Sequence, residues 1–228
     1  MTRTHFEEEL KSLRHLLLNM GSQVDQMVAQ AVDALIDQDA ALAEKVMASD
    51  DLVDDMDIQI ESGCMRLIAL QQPIAYDLRL IGTMLKVITD IERIGDHAVD
   101  IAKVARKLSR DSFYKPLVDL PRMAFRVRQM LRDALAAFVN HDLELVETVS
   151  ASDDEVDDLF HQIRSELHIA MQSEPSLVVQ ASYLLFVAHY LERIADHSVN
   201  IAERVHYVET GSLDQLAKSH KTSTQSAI

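Results

Sequence analysis

What the chain lacks narrows its class first. Tryptophan is absent, aromatic residues make up 5% of the 228 positions, and only five glycines and four prolines are available to punctuate the backbone. Few turn formers and few strand-favouring rings, set against abundant Ala, Leu, Met, Glu and Gln, exclude a sheet-rich design and predict long helices. A single cysteine, Cys64, excludes an internal disulfide framework and a thiolate metal cage, and reads as a small buried core residue. Positive charge is also scarce: 22 Lys and Arg against 37 Asp and Glu leave a net charge of -15, which argues against a nucleic-acid partner and suits cations or basic surfaces.

Long apolar runs are missing as well. The best, Tyr183 to Ala188, falls far short of the roughly 18 residues a membrane span needs. Met1 to Glu9 is polar and acidic, without the basic and apolar regions of a secretion signal. The expectation is a soluble, cytoplasmic protein that meets a membrane only through partners. Catalytic signatures are thin too: there is no HExxH, no glycine-rich phosphate loop and no GxSxG, and the lone Glu203-Arg204-Val205-His206 is one motif where a di-iron bundle uses two.

What is present is helical periodicity, twice over. Thr4-His5-Phe6-Glu7 has the form of a capping box that starts a first helix near residue 5 and carries it to about Asp37. A second runs from the polar break Asp37-Gln38-Asp39 to about Gln71, and a third from Ala75 to Leu108, with Pro73 between them. The second half repeats the plan: a helix from about Arg122 to Val139, a break at Asn140-His141-Asp142, a helix to about Gln172, then Pro175 and a last helix to about Val208. All four prolines are expected between helices. The fold class is all-α, with six helices in two three-helix units divided near residues 110 to 120. The domains are expected at 1–112 and 113–210, with 211–228 a flexible tail.

The clearest feature is a duplication. Glu92-Arg93-Ile94-Gly95-Asp96-His97-Ala98-Val99-Asp100-Ile101-Ala102 returns as Glu192-Arg193-Ile194-Ala195-Asp196-His197-Ser198-Val199-Asn200-Ile201-Ala202, identical at eight of eleven positions. Ser49-Asp50-Asp51-Leu52-Val53-Asp54-Asp55 echoes Ser152-Asp153-Asp154-Glu155-Val156-Asp157-Asp158, displaced by 103 residues rather than 100. Repetition of this length marks one supersecondary unit built twice.

Within the repeat, Glu92, Asp96 and Asp100 stand four apart and form a ladder on one helix face. Glu92 lies at the edge of the apolar arc Leu80, Met84, Ile88, Ile91, Gly95, Ala98 and Ala102, so ladder and core meet at a seam. Asp50 and Asp54 on the preceding helix, also four apart, would face it across that seam; Glu192, Asp196, Asp153 and Asp157 repeat the arrangement. Convergent carboxylates are hard oxygen donors suited to Mg, Ca, Mn or iron, and without a cation they repel. A solvated acidic face, with Arg93 and Lys103 pairing locally, is the alternative reading. His97 and His197 point about 100° away from the adjacent Asp and are assigned to inter-helix or surface hydrogen bonding, with a ligand role the lesser option. Arg93 and Arg193 are expected to pair across helices.

With Asp77-Leu78-Arg79 upstream, the duplicated Glu-Arg-Ile-x-Asp in a chain of this length resembles the PhoU family of bacterial phosphate-signalling regulators, over nearly the whole chain. The resemblance implies two pseudo-symmetric three-helix bundles. It also implies metal clusters on acidic motifs that map onto Glu92, Asp96, Asp50, Asp54, Glu192, Asp196, Asp153 and Asp157, holding divalent or trivalent ions such as iron, manganese, zinc or magnesium. Asn200 in place of Asp100 leaves the second ladder one charge poorer. The function implied is non-enzymatic: a negative regulator of phosphate uptake and of the phosphate-starvation response. It would link the ATPase subunit of the phosphate ABC transporter to a phosphate-sensing histidine kinase, with the protein itself a homodimer or higher homo-oligomer. A metal-dependent enzyme, or a metal storage or sensing protein, stands as the rival reading of the same carboxylates.

Overall fold

A computed structural model describes residues 3–212. Its helices are α1 (Arg3–Ile36), α2 (Ala40–Ala48), α3 (Asp50–Gln71), α4 (Tyr76–Leu108), α5 (Asp119–Asn140), α6 (Leu143–Ser173) and α7 (Val178–Thr210), with one 3-10 turn at Pro175–Leu177. The all-α expectation holds, and no strand occurs among the described residues. Residues 213–228 of the expected tail lie outside them.

The punctuation is local chemistry, and it is duplicated. Asp39 caps α2 by accepting from the amides of Ala41 and Leu42, and Asp142, 103 residues later, caps α6 by accepting from Glu144 and Leu145. The residues just before these caps, Gln38 and His141, both turn the chain in the left-handed region, at φ 55° and 57°. Gly211 ends α7 at φ 78°, where a glycine carries no steric cost.

Three expectations need correction. The second helix is two: at Ser49 the chain makes an i to i+3 bond, Ser49 N to Val46 O, and α2 passes into α3, whereas Ser152 lies inside an unbroken α6. Pro121 does not separate helices; it is the third residue of α5, where its missing amide would have had no helical partner in any case. Thr4 is helical rather than a cap, since α1 already includes Arg3, whose guanidinium pairs with Glu7 at 2.8 Å. The three-residue difference between the two displacements falls, as the sequence implies, between α3 and α4 against α6 and α7.

Helix α4 packs on α1, α2, α3 and α7, and α7 on α4, α5 and α6, so these two long helices are the spine shared by both halves. Every residue of the predicted apolar arc of α4, from Leu80 to Ala102, is buried, together with Ile81, Ile94, Ile101 and Leu108. Each large side chain sealed in this way contributes about 1.5–3 kcal/mol. Cys64 is fully buried, as expected, and burial pushes its thiol up to about 12.

α4 and α7 run antiparallel. At one end the Tyr76 hydroxyl donates to Glu209 (3.1 Å), which also holds His141 Nδ1 (2.6 Å); at the other, Gln180 bonds Ser112 O and Tyr114 N. Between α1 and α5 the halves are joined by a bidentate pair, Arg128 Nε and Nη2 to the two Asp25 carboxylate oxygens, both at 2.9 Å. No helix among the described residues is long and apolar enough to cross a membrane.

Candidate carboxylate seams

α3 crosses α4 at Gly95. A Cβ there would touch Val24, Val53 and Asp50 Oδ1 at 3.6–4.0 Å, so the first α3 carboxylate sits against the α4 backbone beside Asp96. The crossing places Asp50 and Asp54 opposite Glu92 and Asp96, as the spacing predicts. Burial, then the charges of Asp54 and Asp96, hold Asp50 above the usual carboxylate range. Glu92 is raised by burial first and by Asp96, Asp54 and Asp57 next, with Arg93 opposing.

Asp57 is the member that spacing four apart misses. It stands three residues beyond Asp54 and seven beyond Asp50, on the same face, and burial together with Glu61 and Asp54 raises it too. An i, i+4, i+7 search of α3 finds it. Asp100 pairs with Lys103 at 2.8 Å, a lysine whose charge also reaches Asp50 and Asp96, and lines a cleft with Tyr190.

The second seam is differently equipped. Asp57 and Glu61 are replaced at the corresponding positions by Phe160 and Arg164, the guanidinium lying 5.6 Å from the ring centroid. Asp153 is buried at 6% exposure, and Glu192 accepts from His189 Nδ1 at 2.9 Å, where the first half has Thr89. His189, three residues before Glu192, is not an acid and so lies outside a four-apart carboxylate pattern. The two seams therefore differ by more than Asn200.

The arginines correct another expectation. Arg93 and Arg193 bond Asp96 and Asp196 of their own helices, both at 2.7 Å, rather than reaching across. Among the described residues no group of three or more His, Cys, Asp or Glu is gathered closely enough to hold an ion as the side chains stand. The donor set suits a hard cation: oxygen only in the first seam, mutually repelling and half-buried. An ion there would take carboxylate oxygens that Arg93 now holds.

The histidines of the repeat sit between α4 and α7. His197 Nδ1 lies 2.9 Å from Asp90 Oδ1, and Asn200 donates to the same oxygen at 3.2 Å. His97 stacks on Tyr190 with centroids 5.7 Å apart, 5.8 Å from the His197 ring. Inter-helix bonding, the assignment from the helical wheel, is what His197 makes.

A duplicated helical bundle with an acidic seam in each half defines the class. The family model described as PhoU domain matches twice, over residues 17–105 and 120–205, and the chain belongs to the PhoU family. It is 42% identical over 212 residues to the phosphate-specific transport system accessory protein PhoU homolog of Clostridium acetobutylicum, covering 92% of this chain and 97% of that one. The homolog of the same name from Deinococcus radiodurans is 38% identical over 210 residues, covering 92% and 99%. The crystal structure of PhoU from Pseudomonas aeruginosa superimposes with a TM-score of 0.88 at 36% identity, covering 91% of this chain and all of that one. The phosphate transport system regulatory protein PhoU from Streptococcus pneumoniae gives 0.85 at 30% identity.

Proposed function

We propose that this protein is a negative regulator of phosphate uptake and of the phosphate-starvation response. It works in the cytoplasm, without catalysis, as an adaptor between the ATPase subunit of a phosphate ABC transporter and a phosphate-sensing histidine kinase. The observation that carries this reading is similarity over the full fold to proteins named as accessory and regulatory components of phosphate transport. A homodimer or higher homo-oligomer belongs to the same reading. The test is a deletion strain grown in high phosphate: alkaline phosphatase is expected to rise and to be repressed again when the chain is restored. Normal repression without it would sink the proposal, as would turnover by metal-loaded protein that Asp96→Ala and Asp196→Ala abolish.

The acidic seams are proposed as metal sites, with iron, manganese, zinc or magnesium the candidate ions. What supports this is the oxygen-only donor set of the first seam and the repulsion that Asp54 and Asp96 exert on Asp50 and that Asp96, Asp54 and Asp57 exert on Glu92, which a cation would relieve. Elemental analysis of protein purified without a chelating column, repeated on an Asp50→Asn/Asp96→Asn variant, tests it. Equal metal content in the two would remove the first seam as a site.

A further inference from the structure

A second feature lies at the C-terminal end of α4 and begins at Lys103, whose charge still reaches Asp50 of α3. Lys103, Arg106, Lys107 and Arg110 occupy positions i, i+3, i+4 and i+7 and share one face of its last turns and the residues just after it. With Tyr183, Phe186 and Tyr190 from the start of α7 they line an open cleft of about 770 Å³, whose acids are Glu44 of α2 and Asp100. Lys103 is already paired with Asp100, whereas Arg106, Lys107 and Arg110 make no ion pair among the described residues. Phe186 is half-exposed. In a chain of net charge -15, this is a concentration of the scarce sign beside an exposed ring.

The duplication supplies an internal control. One hundred residues later the basic positions are Glu203, His206, Tyr207 and Thr210, and one hundred residues before the aromatic ones are Thr83, Lys86 and Asp90. The same packing frame is thus built without either set. Complementing the helix dipole would favour cations at the end of α4, but α7 ends with none in its last turn, and a dipole does not account for Phe186.

We propose that this cleft docks an acidic segment of a partner protein that carries an aromatic or large aliphatic side chain, seated against Phe186 with its carboxylates on Arg106, Lys107 and Arg110. An open cleft beside a linear basic stripe fits a chain lying across it, where a small ligand would need enclosing walls. The proposal rests on the adaptor reading, and it supplies that reading with a contact surface.

The probe is a fluorescein-labelled Glu/Asp-rich peptide with one central Phe, followed by anisotropy on the full-length protein. Wild type is expected to bind, more weakly as salt rises. Arg106→Glu/Arg110→Glu should weaken binding about tenfold or more, and Phe186→Ala about three- to tenfold. The Phe186→Ala loss should disappear when the peptide's Phe is replaced by Ala. Unchanged far-UV dichroism and melting show that the variants fold, since the altered side chains are exposed. Absence of wild-type binding, equal binding by the charge-reversed variant, or displacement of the peptide by stoichiometric ATP or inorganic phosphate would overturn the proposal. So would self-association by light scattering that the charge reversal abolishes. The titration reads the cleft alone, so its failure leaves the deletion test of the regulatory role standing, and the reverse.

Discussion

His197 Nδ1 reaches Asp90 Oδ1 at 2.9 Å across the antiparallel α4–α7 spine, while its counterpart His97 faces Tyr190, the residue one hundred positions after Asp90. One repeat therefore gives its histidine a carboxylate and the other gives it a ring. Burial first, then His197, lower His97 to about 4, and its Nδ1 is buried without a protein partner.

Acid lability follows from that asymmetry. A histidine lowered in the folded state contributes stability that is complete above the unfolded value near 6.5 and is lost as pH falls toward 4. The shift bounds the loss at about 3 kcal/mol. His97→Phe keeps the stacking and removes the proton site. In urea titrations it is expected to be the more stable protein at pH 5, with the difference shrinking at pH 7.5. Equal pH slopes for variant and wild type would show that His97 does not set the acid limit.

The seam carboxylates act in the opposite direction. Asp50, Asp57 and Glu92 are raised, by burial first and by neighbouring carboxylates next, so their charged forms cost stability at neutral pH and that cost is relieved as pH falls through their folded values. Asp50→Asn should raise the melting temperature at pH 7 in metal-free buffer, by a free energy of a few tenths of a kcal/mol for each like-charge neighbour removed. Added Mn or Mg should raise the wild type more than the variant. If chelator and metal leave both melting curves unmoved, the cation account of the seam fails.

The pair between the halves is sensitive to geometry rather than charge alone. Arg128 binds Asp25 through two parallel bonds with both side chains largely covered. Arg128→Ala is expected to cost about 1–2 kcal/mol, since Asp25 loses its bidentate partner and keeps only the longer contacts to Arg132 at 3.4 Å. Arg128→Lys should recover less than half of that, because an ammonium offers no fork. Chemical denaturation of the three proteins gives the comparison.

Gly95 is a crossing point that has room. Its absent Cβ would meet Val24 and Val53 at 3.6 Å, ordinary contact, and the second repeat carries Ala195 in the same place. Gly95→Ala should therefore stabilise α4 by about 0.5–1 kcal/mol. A loss of stability in thermal melts would mean that the seam is tighter at Asp50 than these distances indicate.

Helix positions, the duplicated unit and the acid ladder were legible along the chain because each is a matter of spacing on one helix: residues four apart share a face whatever the helix touches. The facing of Asp50 and Asp54 onto Glu92 and Asp96 also followed, since consecutive helices in a small bundle are neighbours. The break at Ser49 was not legible, because nothing in its side chain separates it from Ser152, which stays helical.

Tertiary structure decided the rest. That Asp57 joins the first seam while Phe160 and His189 remake the second depends on which turn of one helix meets which turn of the next. Arg93 turned to Asp96 rather than across the seam because an i, i+3 partner is presented by the helix itself. The antiparallel pairing of α4 with α7 brought His197 to Asp90 and set a basic stripe against three rings that lie about eighty residues further along the chain. Composition and period establish what each helix offers; the crossing angle and register between helices, which arise from side-chain packing over the whole core, determine what each offer meets.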